Sequence, residues 1–401
     1  MPGNARLIPR YNWDYGLKEL ATALGSLLHV GPREENVWEK VFGCKPILTT
    51  SGRASLYTIL KALELPKGAG VGVPLFCCHV VFDAVVQAGL VPVFLDINME
   101  DYNVSVEDVS KKRERLSAVV AVHMFGQSAD MDPLLESCGE IPVIEDCAQA
   151  LFSEYKGSPV GSRSPVSFYS FRSGKYISAG EGSAIFCRGK ALRDKILGLV
   201  DQYEDWRWDQ QIVHAVSTYI MSAFYHPPLY GMIGHRIGRA LHRKLDLSRK
   251  SVFKLRKIAP VDRIVVQKRM EHFLVNIDKQ RDNARYLTGR LDMKNSVVPM
   301  DVEGRSGNCY QFSLRFPDER RRDFVADHLF GKGIDCAKYL HDIVPTAREL
   351  YGYAGDCPVA EHCSKTVLSI PIHYTMTRRD LDRVAEALNE ADALVQECRH
   401  G

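Results

Sequence analysis

Lys175 ends the run Ser170-Phe171-Arg172-Ser173-Gly174-Lys175, between an apolar strand-like stretch and the glycine-rich turn Gly180-Glu181-Gly182. That setting differs from the solvated helix faces on which most lysines sit. A lysine that bonds to a carbonyl carbon must spend part of its cycle neutral, and burial beside other cations brings this about. Asp146 closes the apolar run Val143-Ile144-Glu145-Asp146, 29 residues before Lys175. A carboxylate at a strand tip suits the protonated ring nitrogen of pyridoxal 5'-phosphate (PLP), because it keeps the ring an electron sink. Gln149, three residues on, is placed to reach the ring's phenolic oxygen. Thr49-Thr50-Ser51-Gly52-Arg53 precedes a helical pattern, where unpaired amides and a positive dipole end can cradle a phosphate; Ser170 is a further donor to it. Read singly, each feature has an ordinary meaning: Ser51 is a helix N-cap, Asp146 a turn former, Lys175 a surface group. No metal-ligand spacing stands out, and no metal site is expected.

These groups need elements to bring them together. Leu56, Ile59, Leu60 and Leu63 recur at helical spacing, which predicts a helix over Arg53–Leu65. Short apolar runs follow at Val71–Pro74, Pro92–Ile97, Ala118–His123, Pro142–Ile144, Val166–Phe171 and Ser183–Cys187. Helical stretches at His79–Ala88, Ser105–Leu116 and Met131–Cys138 separate them. Buried strands alternating with helices imply an α/β sheet, mostly parallel and covered on both faces. Ligands of such sheets lie at the carboxyl ends of the strands. The interval from Asp146 to Lys175 admits one further strand, which returns both side chains to that edge. The stretch His123–Met131 runs from a strand into a Gly turn and is a candidate wall of the same site.

The 401 residues exceed an ordinary single domain and predict a large and a small one. Residues 1–262 read as the large domain, with 201–258 as an atypical insertion, and 263–401 as a linking helix and small α/β domain. In the latter, Arg263–Leu291 reads as a long helix, Cys309–Phe316 and Val367–Ile370 as strands, and Asp318–Phe330 and Thr377–Glu397 as helices, with Thr377 as N-cap. A net charge of +3, from 52 basic and 49 acidic side chains, argues against a nucleic-acid partner. No secretory signal pattern is present, and eleven cysteines follow no paired framework, so the thiols read as reduced and the chain as cytoplasmic. Gln210–His235 lacks Asp, Glu, Lys and Arg but is broken by Pro227-Pro228, and Arg236–Lys257 is strongly basic. A helical insertion over the site or a dimer contact is the favoured reading of this stretch; peripheral membrane contact is the less favoured one.

In order along the chain, Ser51-Gly52, His123 to Met131, Glu145 to Gln149, Ser170 to Lys175 and Gly180 to Gly182 resemble the motifs of the DegT/StrS-type sugar aminotransferases. Cys357–Glu361 and Leu368–Pro371 resemble that family's small domain. The resemblance covers Ile47–Cys187 and resumes from Arg263. It implies a fold type I PLP-dependent transferase, a homodimer with sites near the interface, and amino transfer from glutamate or glutamine to a keto sugar, nucleotide-linked as a rule. By it, Lys175 carries the cofactor and moves protons, Asp146 pairs with the ring nitrogen, Gln149 meets the phenolic oxygen, and Ser170 with the Gly52 and Arg53 amides holds the phosphate. Cys78 stands where the family often has a ring-stacking aromatic, with His79 as the substitute. Arg53 replaces the usual Thr, Ser183 the usual second Gly, and no Gly-x-Asn-x-Arg segment is recognisable between Val200 and Val261. A sugar dehydratase or deoxygenase on the same cofactor, and a non-catalytic regulator on the same fold, are the competing readings.

Overall fold

The computed structural model describes residues 7–28, 37–236, 253–294, 296–298 and 302–397. Most of the basic stretch, 237–252, lies outside the described residues. In chain order come α1 (Leu17–Leu27), α2 (Val37–Phe42), β1 (Ile47–Thr49), α3 (Gly52–Ala62), β2 (Gly70–Pro74), α4 (Val80–Gln87), β3 (Val91–Leu95), α5 (Val106–Lys112), β4 (Ala118–Val122), α6 (Met131–Cys138) and β5 (Val143–Asp146). The short β6 (Glu154–Tyr155) and β7 (Ser158–Pro159) precede β8 (Val166–Ser170), β9 (Ser183–Cys187), α7 (Lys190–Asp201) and α8 (Trp208–Ala223). Then follow α9 (Pro260–Thr288), β10 (Arg305–Ser306), β11 (Phe312–Arg315), α10 (Glu319–Gly331), α11 (Ile343–Tyr351), α12 (Pro358–Thr366), β12 (Val367–Ile370) and α13 (Arg378–Glu397).

Seven strands form one sheet in the order β1-β9-β8-β5-β4-β2-β3. The pairs β2/β3, β2/β4, β4/β5 and β5/β8 are parallel, whereas β8/β9 and β1/β9 are antiparallel. This is the expected α/β architecture. Its physical cause shows in β4, buried along its whole length. Ala118, Val120 and Val122 enter the apolar cluster on one face, and Val119 and Ala121 enter the cluster on the other. A strand with a two-residue period and no polar face must be covered on both sides.

A third cluster surrounds the antiparallel pair β11/β12 with α10, α13 and the end of α9. The 29-residue α9 serves both lobes: Val261, Val265 and Phe273 join the large-sheet cluster, and Ala284 and Leu287 the small one. Two helices that periodicity did not reveal, α11 and α12, insert Ile343, Ala347, Ala360 and Cys363 into the core of the large sheet. They therefore fasten the second lobe to the first. The edge strand β1 and helix α7 also escaped the reading, one for its three-residue length and the other because only Ile196 and Val200 are buried. The uncharged stretch Gln210–His235 is no single span: α8 stops at Ala223, and a π-helical turn at Tyr230–Gly234 follows Pro227-Pro228. No helix among the described residues is long and apolar enough to cross a membrane.

Helix α13 begins with a reciprocal cap in which the Thr377 amide donates to Asp380 Oδ2 (3.0 Å) and the Asp380 amide donates to Thr377 Oγ1 (3.2 Å). Thr377→Ala is expected to cost about 1 kcal/mol, with Thr377→Ser retaining most of it, as read from urea unfolding followed by circular dichroism.

Candidate active site

A cavity of about 530 Å³ opens at the carboxyl ends of β4, β5 and β8. Ser51, Gly52, Arg53, Cys78, Asp146, Gln149, Ser170 and Lys175 all line it. His79 does not: it is exposed, preceding the first turn of α4, while Cys78 meets the cavity. The register explains the convergence. Asp146 is the last residue of β5 and pairs with Phe168 of β8, two residues before Ser170. The chain then makes a tight loop, and Gly174 puts Lys175 back over the strand tips. Gly174 has φ +86°, and a Cβ there would lie 2.6 Å from the Trp13 indole nitrogen, so both backbone and packing require glycine.

Burial lowers the Lys175 pKa, with Arg172 adding to the effect and Asp146 opposing it. Burial raises the Asp146 pKa, while the Ala148 amide (2.9 Å to Oδ1) and Lys175 pull it back. The amine also stands 5.0 Å from the centre of the Tyr310 ring. An amine of lowered pKa and a water-poor carboxylate thus occupy one cavity. At its other end Ser51 Oγ accepts from the Ala54 amide (3.2 Å) and caps α3. Gly52 begins that helix; a Cβ on it would come 3.3 Å from the Phe168 ring and 3.6 Å from Ser170 Cβ, filling the space beside the helix end. Ser170 Oγ has no partner among the described residues. The Arg53 guanidinium donates to Asp83 Oδ2 (3.2 Å) and lies 4.9 Å from the Phe253 ring, so it is anchored at the cavity wall. Ser183, where a glycine was anticipated, is buried and joins a hydroxyl chain with Ser55 and Thr49, each link 2.8 Å.

Gln149 is held at both ends: Oε1 accepts from the Phe125 amide and Nε2 donates to the Tyr339 hydroxyl, both at 2.8 Å. One amide hydrogen remains for a ligand. Phe125 itself has φ +57° and Gly126 φ +85°; a Cβ on Gly126 would sit 1.8 Å from Asn308 Oδ1. Asn308 in turn donates to the Gln149 and Leu151 carbonyls (2.9 Å each). Behind the cavity, Glu145 is fully buried and accepts from the Gly161, Arg163 and Ser164 amides at 2.8, 3.0 and 2.6 Å. His123 Nδ1 accepts from the Ala129 amide (3.0 Å), so its proton is on Nε2, directed at Glu145 (3.2 Å). His123, Glu145 and Cys147 lie close enough to hold a metal ion, but these hydrogen bonds already occupy the His and Glu ligand atoms.

Sequence reasoning missed much of the wall. Tyr339 reaches it from 190 positions beyond Gln149. Trp206, Phe253, Lys254 and Arg256 reach it from near the two ends of the atypical insertion. Under the Gly180 turn, His214 of α8 meets Asp262 of α9 at 2.8 Å. Burial lifts the Asp262 carboxyl to about 6 although His214 opposes it. Gly180 has φ +106°, and a Cβ there would stand 2.9 Å from both groups. No local motif announces these residues; the loss of charge across Gln210–His235 is the one signal that α8 packs inward.

Fold and site together define the aminotransferase class. A solved aminotransferase from Psychrobacter cryohalolentis superposes with a TM-score of 0.77 at 20% identity, covering 97% of this chain and 100% of that one. The model of the DegT/DnrJ/EryC1/StrS aminotransferase family matches residues 34–389, and the chain belongs to that family of enzymes. It is 37% identical to the GDP-perosamine synthase of Vibrio cholerae over 156 residues, which is 38% of this chain and 42% of that protein. It is 25% identical to the UDP-N-acetyl-3-dehydro-alpha-D-glucosamine 3-aminotransferase of Acidithiobacillus ferrooxidans over 84% of this chain and 82% of that one.

For Glu145, burial raises the pKa, but His123 and the backbone amides more than offset this and hold it below the usual range. A carboxyl depressed in the folded state stabilises above its unfolded pKa and loses that contribution as pH falls through the folded value. Glu145→Gln turns an amide N–H against backbone donors and is expected to cost about 2 kcal/mol at pH 7. The gap between the urea midpoints of variant and parent should narrow as pH falls below 4.5, the ordinary value for this carboxyl.

Proposed function

We propose that this chain is a PLP-dependent transaminase that moves an amino group from glutamate or glutamine to a keto sugar, most simply a nucleotide-linked one. The observation that carries the reading is the single cavity shared by a lysine of lowered pKa, a buried carboxylate and the N-terminus of α3. That donor set fits PLP: an amine for the aldehyde, an acid for the ring nitrogen, and helix amides with Ser170 for the phosphate. When bound, PLP supplies a carbonyl that exchanges amino groups and a ring that accepts the electron pair left behind by a departing proton.

The chain's own groups do the rest. Lys175 Nζ would hold the cofactor through its aldehyde and, as a free amine, would take the proton from the donor's α-carbon. In the second half it returns a proton to the sugar carbon that receives nitrogen. Asp146 is costly to ionise when buried alone, so a cation against it is strongly favoured. Asp146 would face the ring nitrogen and, as a carboxylate, favour its protonated form. Gln149, clamped by Phe125 and Tyr339, offers its remaining N–H to the ring oxygen. Cys78 borders the ring's space, where the wall is thinner than an aromatic would make it.

The acceptor reading draws support from the cations Arg172, Lys254 and Arg256 on the wall, which suit an anionic leaving portion such as a diphosphate. The relatives named above act on GDP- and UDP-linked sugars by their names. A homodimer is part of this reading; Leu17, Trp208, Val213 and Val275 are large apolar side chains 68–74% exposed on helices α1, α8 and α9, which pack together.

Borohydride reduction of the PLP-loaded protein, followed by peptide mass spectrometry, should mark Lys175. Lys175→Ala should lower turnover at least about 10³-fold, with glutamate and a panel of nucleotide-linked keto sugars as substrates. A label at another lysine, or turnover by the Ala variant, contradicts the role. Asp146→Asn should retain the cofactor but lower kcat about 10²-fold or more, whereas a change in KM alone points to a structural part.

A further inference from the structure

A second cavity, of about 480 Å³, lies between the lobes. It shares no lining residue with the first; the Phe125 ring of the second and the Tyr339 ring of the first, with centroids 5.0 Å apart, separate the two. Tyr102 and Phe125, edge to face at 79°, form one wall, and Val297 and Val298 belong to the other lobe's side. Into this slot β11 and the residue before it bring Gln311 and Ser313, two positions apart and therefore on one face of the strand. They are 8% and 2% exposed, and neither Gln311 Oε1 nor Ser313 Oγ has a hydrogen-bond partner among the described residues. Unpaired polar atoms at such depth disfavour the folded state unless water or a ligand engages them.

We propose that this cleft is a binding site for a nucleobase. A primary amide presents an acceptor and a donor side by side, which matches the adjacent donor and acceptor on the edge of a base, as Gln does with adenine. The aromatic wall supplies a face on which a planar ring stacks. The exposed carboxylate of Glu100 at the mouth is placed for the hydroxyls of a ribose, a role acidic side chains fill in dinucleotide sites. A cavity of about 480 Å³ lies within the range of sites that take a small molecule. The base has two possible sources, a free nucleoside or nucleotide and the carrier of a nucleotide-linked sugar, and the site recognises both by the same chemistry. The inference stands apart from the transaminase reading, since no residue lines both cavities.

The test uses the full chain free of PLP, titrated calorimetrically with adenosine, guanosine, cytidine and uridine, and separately with GDP-mannose and UDP-glucose. At least one nucleoside should bind, with Gln311→Met weakening it about tenfold or more and Lys175→Ala leaving it unchanged. Ser313→Ala removes a buried unpaired hydroxyl and should melt no lower than the parent, so weaker binding in that variant reports the site and not the fold. Tighter binding of a nucleotide sugar than of its nucleoside, lost in the same variants, assigns the base to a sugar carrier; nucleoside binding alone assigns a separate effector. Absence of binding by all six probes overturns the proposal. So does binding that ignores Gln311→Met and Ser313→Ala but disappears with Lys175→Ala, which puts the base in the first cavity.

Discussion

An amine and a carboxylate placed in one poorly hydrated cavity each lose part of the solvation that keeps them charged. For Lys175 and Asp146 this loss outweighs their mutual attraction: the lysine pKa falls and the aspartate pKa rises. Much else in the large lobe serves that constraint. Parallel β4, β5 and β8 carry the two groups to one edge, glycine at 174 lets the chain double back, and the capped end of α3 closes the opposite side. Had either group been solvated, the burial that shifts both pKa values would be lost.

The same acidic pair shows how neighbouring residues take different parts. Asp146 and Glu145 are adjacent on β5 and point to opposite sides of the sheet. Asp146 meets the cavity with one backbone donor; Glu145 meets three backbone amides and His123 and stays ionised below its usual range. One carboxylate is left short of hydrogen bonds at the site, and the other is saturated with them beneath it. The saturated one pins the loop after β7, and His123 ties it to the turn that carries Phe125 and Gly126. That turn in turn orients Gln149, so the rigidity of the cavity wall originates in a buried His123–Glu145 hydrogen bond a layer below.

The small lobe contributes more than shape. Tyr310 and Tyr339 both come from beyond α9 and meet Lys175 and Gln149 respectively. Helices α11 and α12 sink into the core of the large sheet, and Asn308 bonds the carbonyls after β5. Two lobes joined this way share a continuous set of contacts around the cavity and around the second cleft beside it.

Local pattern determined the alternation of strands and helices, the covered sheet and the cap at Thr377, and the family resemblance of their motifs grouped Ser51, Gly52, Asp146, Gln149, Ser170 and Lys175. The elements and the motifs are properties of spacing: a buried parallel strand and a glycine-bounded turn leave their mark within ten residues. The tertiary structure alone decided that Cys78 and not His79 meets the cavity, since a one-residue rotation at a helix start does not show in composition. It also decided that Arg53 is tied to Asp83 and that Tyr339 clamps Gln149, along with the burial that sets each pKa. Such features depend on contacts between segments tens to hundreds of residues apart, and no periodicity within a segment encodes its partner.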